Sequence, residues 1–310
     1  MRRLLTVFLA LAALFTVPAL ALTEEETEAA LANAGMAALD ACVEEDMTDI
    51  ERLTALHDWL ALHCDYGATL RGGTAYGALA EGTAVCTGYA AGYAYLAALA
   101  GLEGVDTYSE SLDHAWILAT LDGARYFSDC TWDDGKGLKL GLIRHRYFLF
   151  DETDTVGHSG WDSAERVPGG PLEAAPWLAA VTRVVFRGDC AYYIDGEFRL
   201  IRCDRQTWDT EVLMQMTDRW PEEDGKAAEL YTGLILCRDR LYFNTPRAIC
   251  YYDLRTGAVR TSLVPDTSEG LIYGIAALDG TLRYSLAADA ASVEYDVIDT
   301  GISLRGAWGC

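Results

Sequence analysis

Three residues of this 310-residue chain have the types and spacing for nucleophilic chemistry at a carbonyl carbon: Cys86, His114 and Asp129. Cys86 follows a segment bearing Gly77 and Gly82 and opens the stretch Cys86 to Leu99, which reads as a helix. A sulfur at a helix start feels the positive end of the dipole, which favours the reactive thiolate. The unpaired N–H groups there can also receive an oxyanion. Gly88 and Ala90 keep that first turn small. A cysteine nucleophile needs a base, and the base needs a group to orient it. His114 opens a strand-like run, and Asp129 ends the next strand of the same predicted hairpin, 15 residues on. Residues that start one strand and end its partner lie opposite each other, which sets a carboxylate beside an imidazole. The other four histidines read differently. His57 and His63 sit on a helix as packing or capping residues, His145 lies in a basic, surface-like Arg144-His-Arg cluster, and His158 in a Gly/Ser loop. Taken singly, Cys86 would be a disulfide partner or a small buried residue, His114 a structural histidine and Asp129 a cap.

The elements that must position these groups follow from periodicity. Thr23 with Glu26, and Thr48 with Glu51, have the capping-box form. The first opens an Ala-rich helix to about Val43. The second opens a helix whose Ile50, Leu53, Leu56, Trp59, Leu60 and His63 share one face. Cys86–Leu99 is apolar nearly all round, which places it in the middle of a domain. His114–Leu121 and Arg125–Asp129 read as strands joined by an Asp122-Gly123 turn. Trp116 and Trp132 read as core, and Asp133-Asp134 as a solvated turn. The order is α+β. Pro168, Gly169, Gly170, Pro171 and Pro176 mark a linker over 166–180.

Beyond Val181 a loose repeat replaces helical periodicity. Val185–Ile194, Leu236–Phe243 and Ala277–Tyr284 resemble one another, and each is followed by a unit closing on Asp204, Asp253 or Asp296. The steps between those aspartates are 49 and 43 residues, in the range of blade-type β-repeats. Three units are too few to close a propeller, so 181–310 is expected to form an open stack, a partial propeller-like array or a sandwich.

Composition narrows the setting. With 51% hydrophobic and 11% aromatic residues the chain is not disordered, and its formal charge of −23 argues against nucleic acid or anionic lipid as partner. Residues 1–21 have a basic start, an apolar run and an Ala-Leu-Ala end, the form of a signal peptide, and no other stretch is long enough to span a membrane. Export with nine cysteines permits disulfides; Cys190/Cys203 and Cys237/Cys250 share a spacing of 13 that suits cross-hairpin neighbours or coincidence. No zinc-type spacing, calcium loop or phosphate-binding glycine loop occurs, so no metal and no cofactor is expected.

From about Asp49 to Asp134 the sequence resembles the transglutaminase-like superfamily, which has a papain-like core. Thr74–Ala90 looks like its nucleophile segment with Cys-x-Gly-Tyr-Ala intact, His114-Ala-Trp like its histidine motif, and Asp129-Cys-Thr-Trp-Asp-Asp like its aspartate motif. Ile117, Arg125 and Cys130 depart from residues frequent in the family and remove none of the three. The resemblance implies a Cys-His-Asp triad acting by acyl transfer from amides, as a cysteine peptidase, amidase or cross-linker, within a catalytic domain spanning 22–165. Tyr76 and Trp116 are expected to line the substrate pocket. Protein, peptide or cell-wall amides are the expected substrates, in a secreted or cell-surface setting. The alternative is a non-catalytic wall- or surface-binding protein that keeps the scaffold.

Overall fold

The computed structural model describes residues 22–134, 140–162, 166–169, 175–221, 230–292 and 295–304. The expected signal peptide, Gly170 and Pro171 of the linker, and Cys310 lie outside the described residues.

Among the described residues, four helices occupy the first half: α1 (Glu24–Cys42), α2 (Asp49–His63), α3 (Cys86–Leu99) and the short α4 (Cys130–Asp134). Between α2 and α3 the chain forms β1 (Asp65–Tyr66), a π-helical turn at Gly77–Glu81 and β2 (Thr83–Ala84), which pairs in parallel with β1. An antiparallel sheet of β3 (Glu103–Ser109), β4 (His114–Leu121) and β5 (Ala124–Ser128) precedes α4. α3 packs against α1 and α2 on one side and β3 and β4 on the other. Its Tyr89, Tyr93 and Leu96 are fully buried, as an all-round apolar helix requires. The capping box at Thr23 forms as expected, and Glu51 reaches back to the Thr48 N–H at 2.7 Å.

The second half is α-free among the described residues apart from a 3-10 turn at Pro176–Ala179. Three antiparallel meanders follow one another: β6 (Val185–Arg187), β7 (Cys190–Ile194), β8 (Arg199–Asp204) and β9 (Thr210–Gln215); then β10 (Ile235–Cys237), β11 (Arg240–Asn244), β12 (Ile249–Asp253) and β13 (Ala258–Leu263); then β14 (Leu271–Leu278), β15 (Thr281–Ala287) and β16 (Asp296–Ser303). Side chains of a strand alternate between faces, and the alternation builds the layers. Phe186, Ala191, Tyr193 and Ile201 join the core of the helical half, while Val185, Tyr192, Ile194 and Leu200 face Leu241, Phe243 and Tyr252 of the next sheet. Ile235, Tyr242 and Ile249 on that sheet's other face meet Ile272, Ile275 and Leu282 of the third. The sheets therefore stack face to face, and none closes on itself.

The repeat is real but imperfect. All three motifs are a hairpin at the start of a sheet, and Asp204 and Asp253 close third strands by accepting from two turn N–H groups each. Asp296 instead opens β16, so the third unit is offset from the first two. The cysteine spacing has no covalent meaning: the eight described cysteines are all free. Cys190 and Cys203 lie on adjacent strands one register position apart, whereas β11 separates Cys237 from Cys250. Within the stretch expected as a linker, Val167 and Trp177 are fully buried, and the Trp177 indole N–H donates to Thr54 Oγ1 at 3.2 Å.

Arg205 ties the halves together through ion pairs to Glu51 and Asp46. Arg205, just past β8, donates to both oxygens of the buried Glu51 on α2 at 2.7 and 3.0 Å, and to the carbonyl of Gly188. A buried pair broken from one side leaves a charge without compensation, typically costing about 3–5 kcal/mol. Arg205→Ala is expected to lose stability on that scale by urea unfolding, and Arg205→Met with Glu51→Met to recover most of it. A single-variant loss below about 1 kcal/mol would assign the pair a surface-like role.

Candidate active site

Cys86 is the first residue of α3, where the early N–H groups have no intrahelical acceptor. The turn before it is set by close backbone packing. The Gly72 carbonyl accepts from Val85 N at 2.9 Å and lies against Gly88, where an added Cβ would come within 2.1 Å of it. The His114 ring, and after it the backbone of Ala115 and Thr87, holds the half-buried Cys86 thiol below its ordinary range against the opposing effect of burial.

His114 opens β4, and its Nε2 lies 2.6 Å from Asp129 Oδ2, leaving Nδ1 for the sulfur. Burial disfavours its charge, but the bonds to Asp129 and then Cys86 outweigh it and push its pKa up to about 9. Asp129 is fully buried; burial alone would raise its pKa, yet His114 and His158 together lower it. The hairpin brings His114 and Asp129 together less directly than expected. Its pairing ends at Ile117 against Ser128, so Asp129 stands just beyond the sheet and its side chain spans the remaining gap. Asp129 also caps α4, its Oδ1 accepting from Thr131 N at 2.9 Å and Trp132 N at 3.1 Å.

Several expectations need correction. Trp116 is 1% exposed and packs with Leu118, Phe127, Phe150 and Val167, so it supports the site from within and does not line an open pocket. Trp132, read as core, is half-buried and stacks on the His114 ring at 4.8 Å between centroids. Tyr76 is half-buried beneath the Arg71 guanidinium at the start of the π-helical turn. His158 is no surface-loop residue: it is buried, with Nε2 2.9 Å from Asp129 Oδ2. Its only sequence signal was a histidine between glycines in an aromatic-rich segment.

Behind α4 lies a second buried polar cluster. His57 sits between Asp58 at 3.1 Å and Asp133 at 3.2 Å, and His145 Nε2 is 2.8 Å from Asp58. His145 is thus buried, not part of a basic surface, and Asp133 is buried, not in a solvated turn. Burial opposes the charge on His57, but its two carboxylate neighbours push its pKa up to about 9. Asp133 accepts from Tyr147 N with both oxygens, and the Tyr147 carbonyl accepts from Asp129 N at 2.8 Å, so the cluster anchors the segment that carries Asp129. Two donor sets, His57/Asp58/His145 and His114/Asp129/His158, have ligand atoms within 4.8 Å of one another and could hold a metal. In both, the hydrogen bonds just described already engage those atoms.

No protein-family model and no curated protein matches the chain. Among solved structures it is similar to a transglutaminase at 16% identity and TM-score 0.31, over 37% of this chain and 35% of that one. A candidate cysteine protease from Cytophaga hutchinsonii matches at 20% identity and TM-score 0.28, over 37% of this chain and 45% of that one. This chain is similar to each of the two over part of its length. It spans between a third and a half of the length of those two, and TM-scores this low carry no weight for activity. The computationally designed protein Ika4 matches 60% of the chain at 11% identity and TM-score 0.25, covering 86% of its own length.

Beside Cys86 and Asp129, Tyr89 and Asp134 make a titrating pair. The Tyr89 hydroxyl lies 2.7 Å from Asp134 Oδ2 and also contacts the Cys64 carbonyl. A phenol has one proton, so both bonds form only when Asp134 keeps its own and donates it. Burial first, then Asp65, pushes the Asp134 pKa up to about 7 against the lowering by Tyr89 and His57. A carboxyl raised in the folded state stabilises below its unfolded pKa and loses that contribution as pH rises through the folded value. The wild-type urea midpoint should therefore fall between pH 5 and 8 by more than that of Asp134→Asn; equal falls would contradict the protonated state.

Proposed function

We propose that the protein is an exported, thiol-dependent enzyme that transfers acyl groups from amides through Cys86, His114 and Asp129. A single observation carries this reading: one imidazole bonded to a buried carboxylate, whose ring also holds a thiol at a helix start below its ordinary pKa. The Cys86 thiolate attacks the amide carbonyl carbon, and the C=O pair moves to oxygen, forming an oxyanion beside the N–H groups of the first turn of α3. The His114 imidazolium donates its proton to the leaving nitrogen as the C–N bond breaks, leaving a thioester on Cys86 and a free amine. His114, now neutral, takes a proton from water or a second amine, which attacks the thioester and regenerates the thiolate. Asp129 stabilises the imidazolium throughout and holds its tautomer.

The N-terminal basic and apolar run supports export, and the chain's acidity is compatible with basic or wall-associated partners. The three stacked sheets are read as a partial propeller-like array that presents the substrate, a wall component or a partner protein to the first half.

The test is release of ammonia or amine from peptide carboxamides and wall fragments, with and without an added amine. Wild-type protein should release it, Cys86→Ala should abolish release, and His114→Ala should lower turnover by about three orders of magnitude or more, as removal of a triad member does elsewhere, together with a lower urea midpoint because the buried Asp129 loses a partner. No release by the wild-type protein would favour the non-catalytic scaffold, and turnover that survives Cys86→Ala would remove Cys86 as the nucleophile.

A further inference from the structure

The carboxylate of Asp129 serves two histidines. Its Oδ2 lies 2.6 Å from His114 Nε2 and 2.9 Å from His158 Nε2. The second imidazole is part of neither the expected nucleophilic set nor its motifs, yet it is buried as thoroughly as the first. Trp132, Phe150 and Trp116 enclose it with centroids at 4.2, 4.5 and 4.7 Å. Its charged and titratable neighbours are Asp129 and His114, with the Tyr147 ring at 5.8 Å. On the outward side it borders a cleft of about 610 Å³ also lined by Glu152 and Arg166.

Orientation of the carboxylate does not require this histidine. Oδ1 already accepts from two backbone N–H groups of α4, which fixes the plane of the group. What His158 adds is charge distribution. Its Nδ1 lies 3.2 Å from the Thr155 carbonyl and its Nε2 faces a carboxylate, and both of those partners only accept. An N–H donated by His158 to the same oxygen draws off part of the negative charge that would otherwise act wholly on His114.

We propose that His158 is a positioning residue for the reaction, sharing the Asp129 carboxylate with His114 and so setting the pH range over which the Cys86 thiolate and His114 imidazolium coexist. This rests on the reading of Cys86 as nucleophile. The direction follows from charge. With His158 present, Asp129 stabilises the His114 imidazolium less, so that proton leaves at lower pH. A carboxylate shared in this way also repels the nearby thiolate less, which then forms at lower pH. Removing His158 moves both limits upward.

The experiment follows alkylation of Cys86 by iodoacetamide as a function of pH, quantified on the Cys86 peptide by mass spectrometry. Wild-type protein is compared with His158→Phe, which keeps the ring volume, and His158→Gln, which keeps an uncharged N–H donor. The expected result is a profile displaced upward at both inflections, by about half a pH unit or more for Phe, which leaves the carboxylate's charge unshared, and by less for Gln. A lower rate at every pH with unmoved inflections in whichever variants fold would assign His158 to packing alone and overturn the proposal. If wild-type Cys86 itself titrates as an ordinary thiol, the nucleophile reading falls and this proposal with it. A depressed wild-type inflection with unmoved variants overturns this proposal only.

Discussion

A carboxylate with no solvent contact has to be compensated, and the first half of the molecule is organised around that requirement at Asp129. Two backbone N–H groups and two imidazoles saturate it. Every element near the site answers to this arrangement. β4 must begin where its first side chain reaches the carboxylate, β5 must end one residue before it, and α4 must start on it. α3 then needs only to aim its first residue at the free face of the His114 ring. Were Asp129 an uncharged residue, His114 would lose its bond on one side and the sulfur would lose an oriented partner on the other.

The same rule recurs one layer deeper. Asp58 and Asp133 are buried between His57 and His145, so two potential negative charges meet two potential positive ones. Asp58 also accepts from Val184 N at 2.7 Å, and His145 contacts the Ala180 carbonyl, which brings the entry to the β half into the network. With Arg205 gripping Glu51, the first sheet is fastened to α2 by polar as well as apolar contacts. The helical half and the first meander share one hydrophobic core, so the sheet stack is attached directly to the body that carries the site.

What the sequence disclosed follows from which signals are local. α1, α2 and α3 and the β4–β5 hairpin were legible because capping residues, apolar spacing and an Asp-Gly turn act within a few residues. β3 was not, since Glu103–Ser109 exposes several residues of mixed type and owes its strand form to pairing with β4. Cys86, His114 and Asp129 stood out as candidates because each stands in a motif. His158 stands in none: left-handed backbone at Gly157 and Gly160 folds its loop inward, and only the folded chain brings it to Asp129. The buried roles of His145 and Asp133 were hidden for the same reason, their partners being far away in sequence. Counting strand-end aspartates found the repeat but misplaced the third unit, because Asp296 takes the opposite end of its strand.

Everything functional depends on the sulfur of Cys86 losing its proton to an environment built by His114 and Asp129. The direct measurement is the ultraviolet thiolate absorbance of wild-type protein minus that of Cys86→Ala across pH. A difference signal that rises with a midpoint clearly below the ordinary thiol value of about 8.5 is predicted. A midpoint at or above that value would mean that the imidazole does not activate the sulfur, and the enzymatic account would fail.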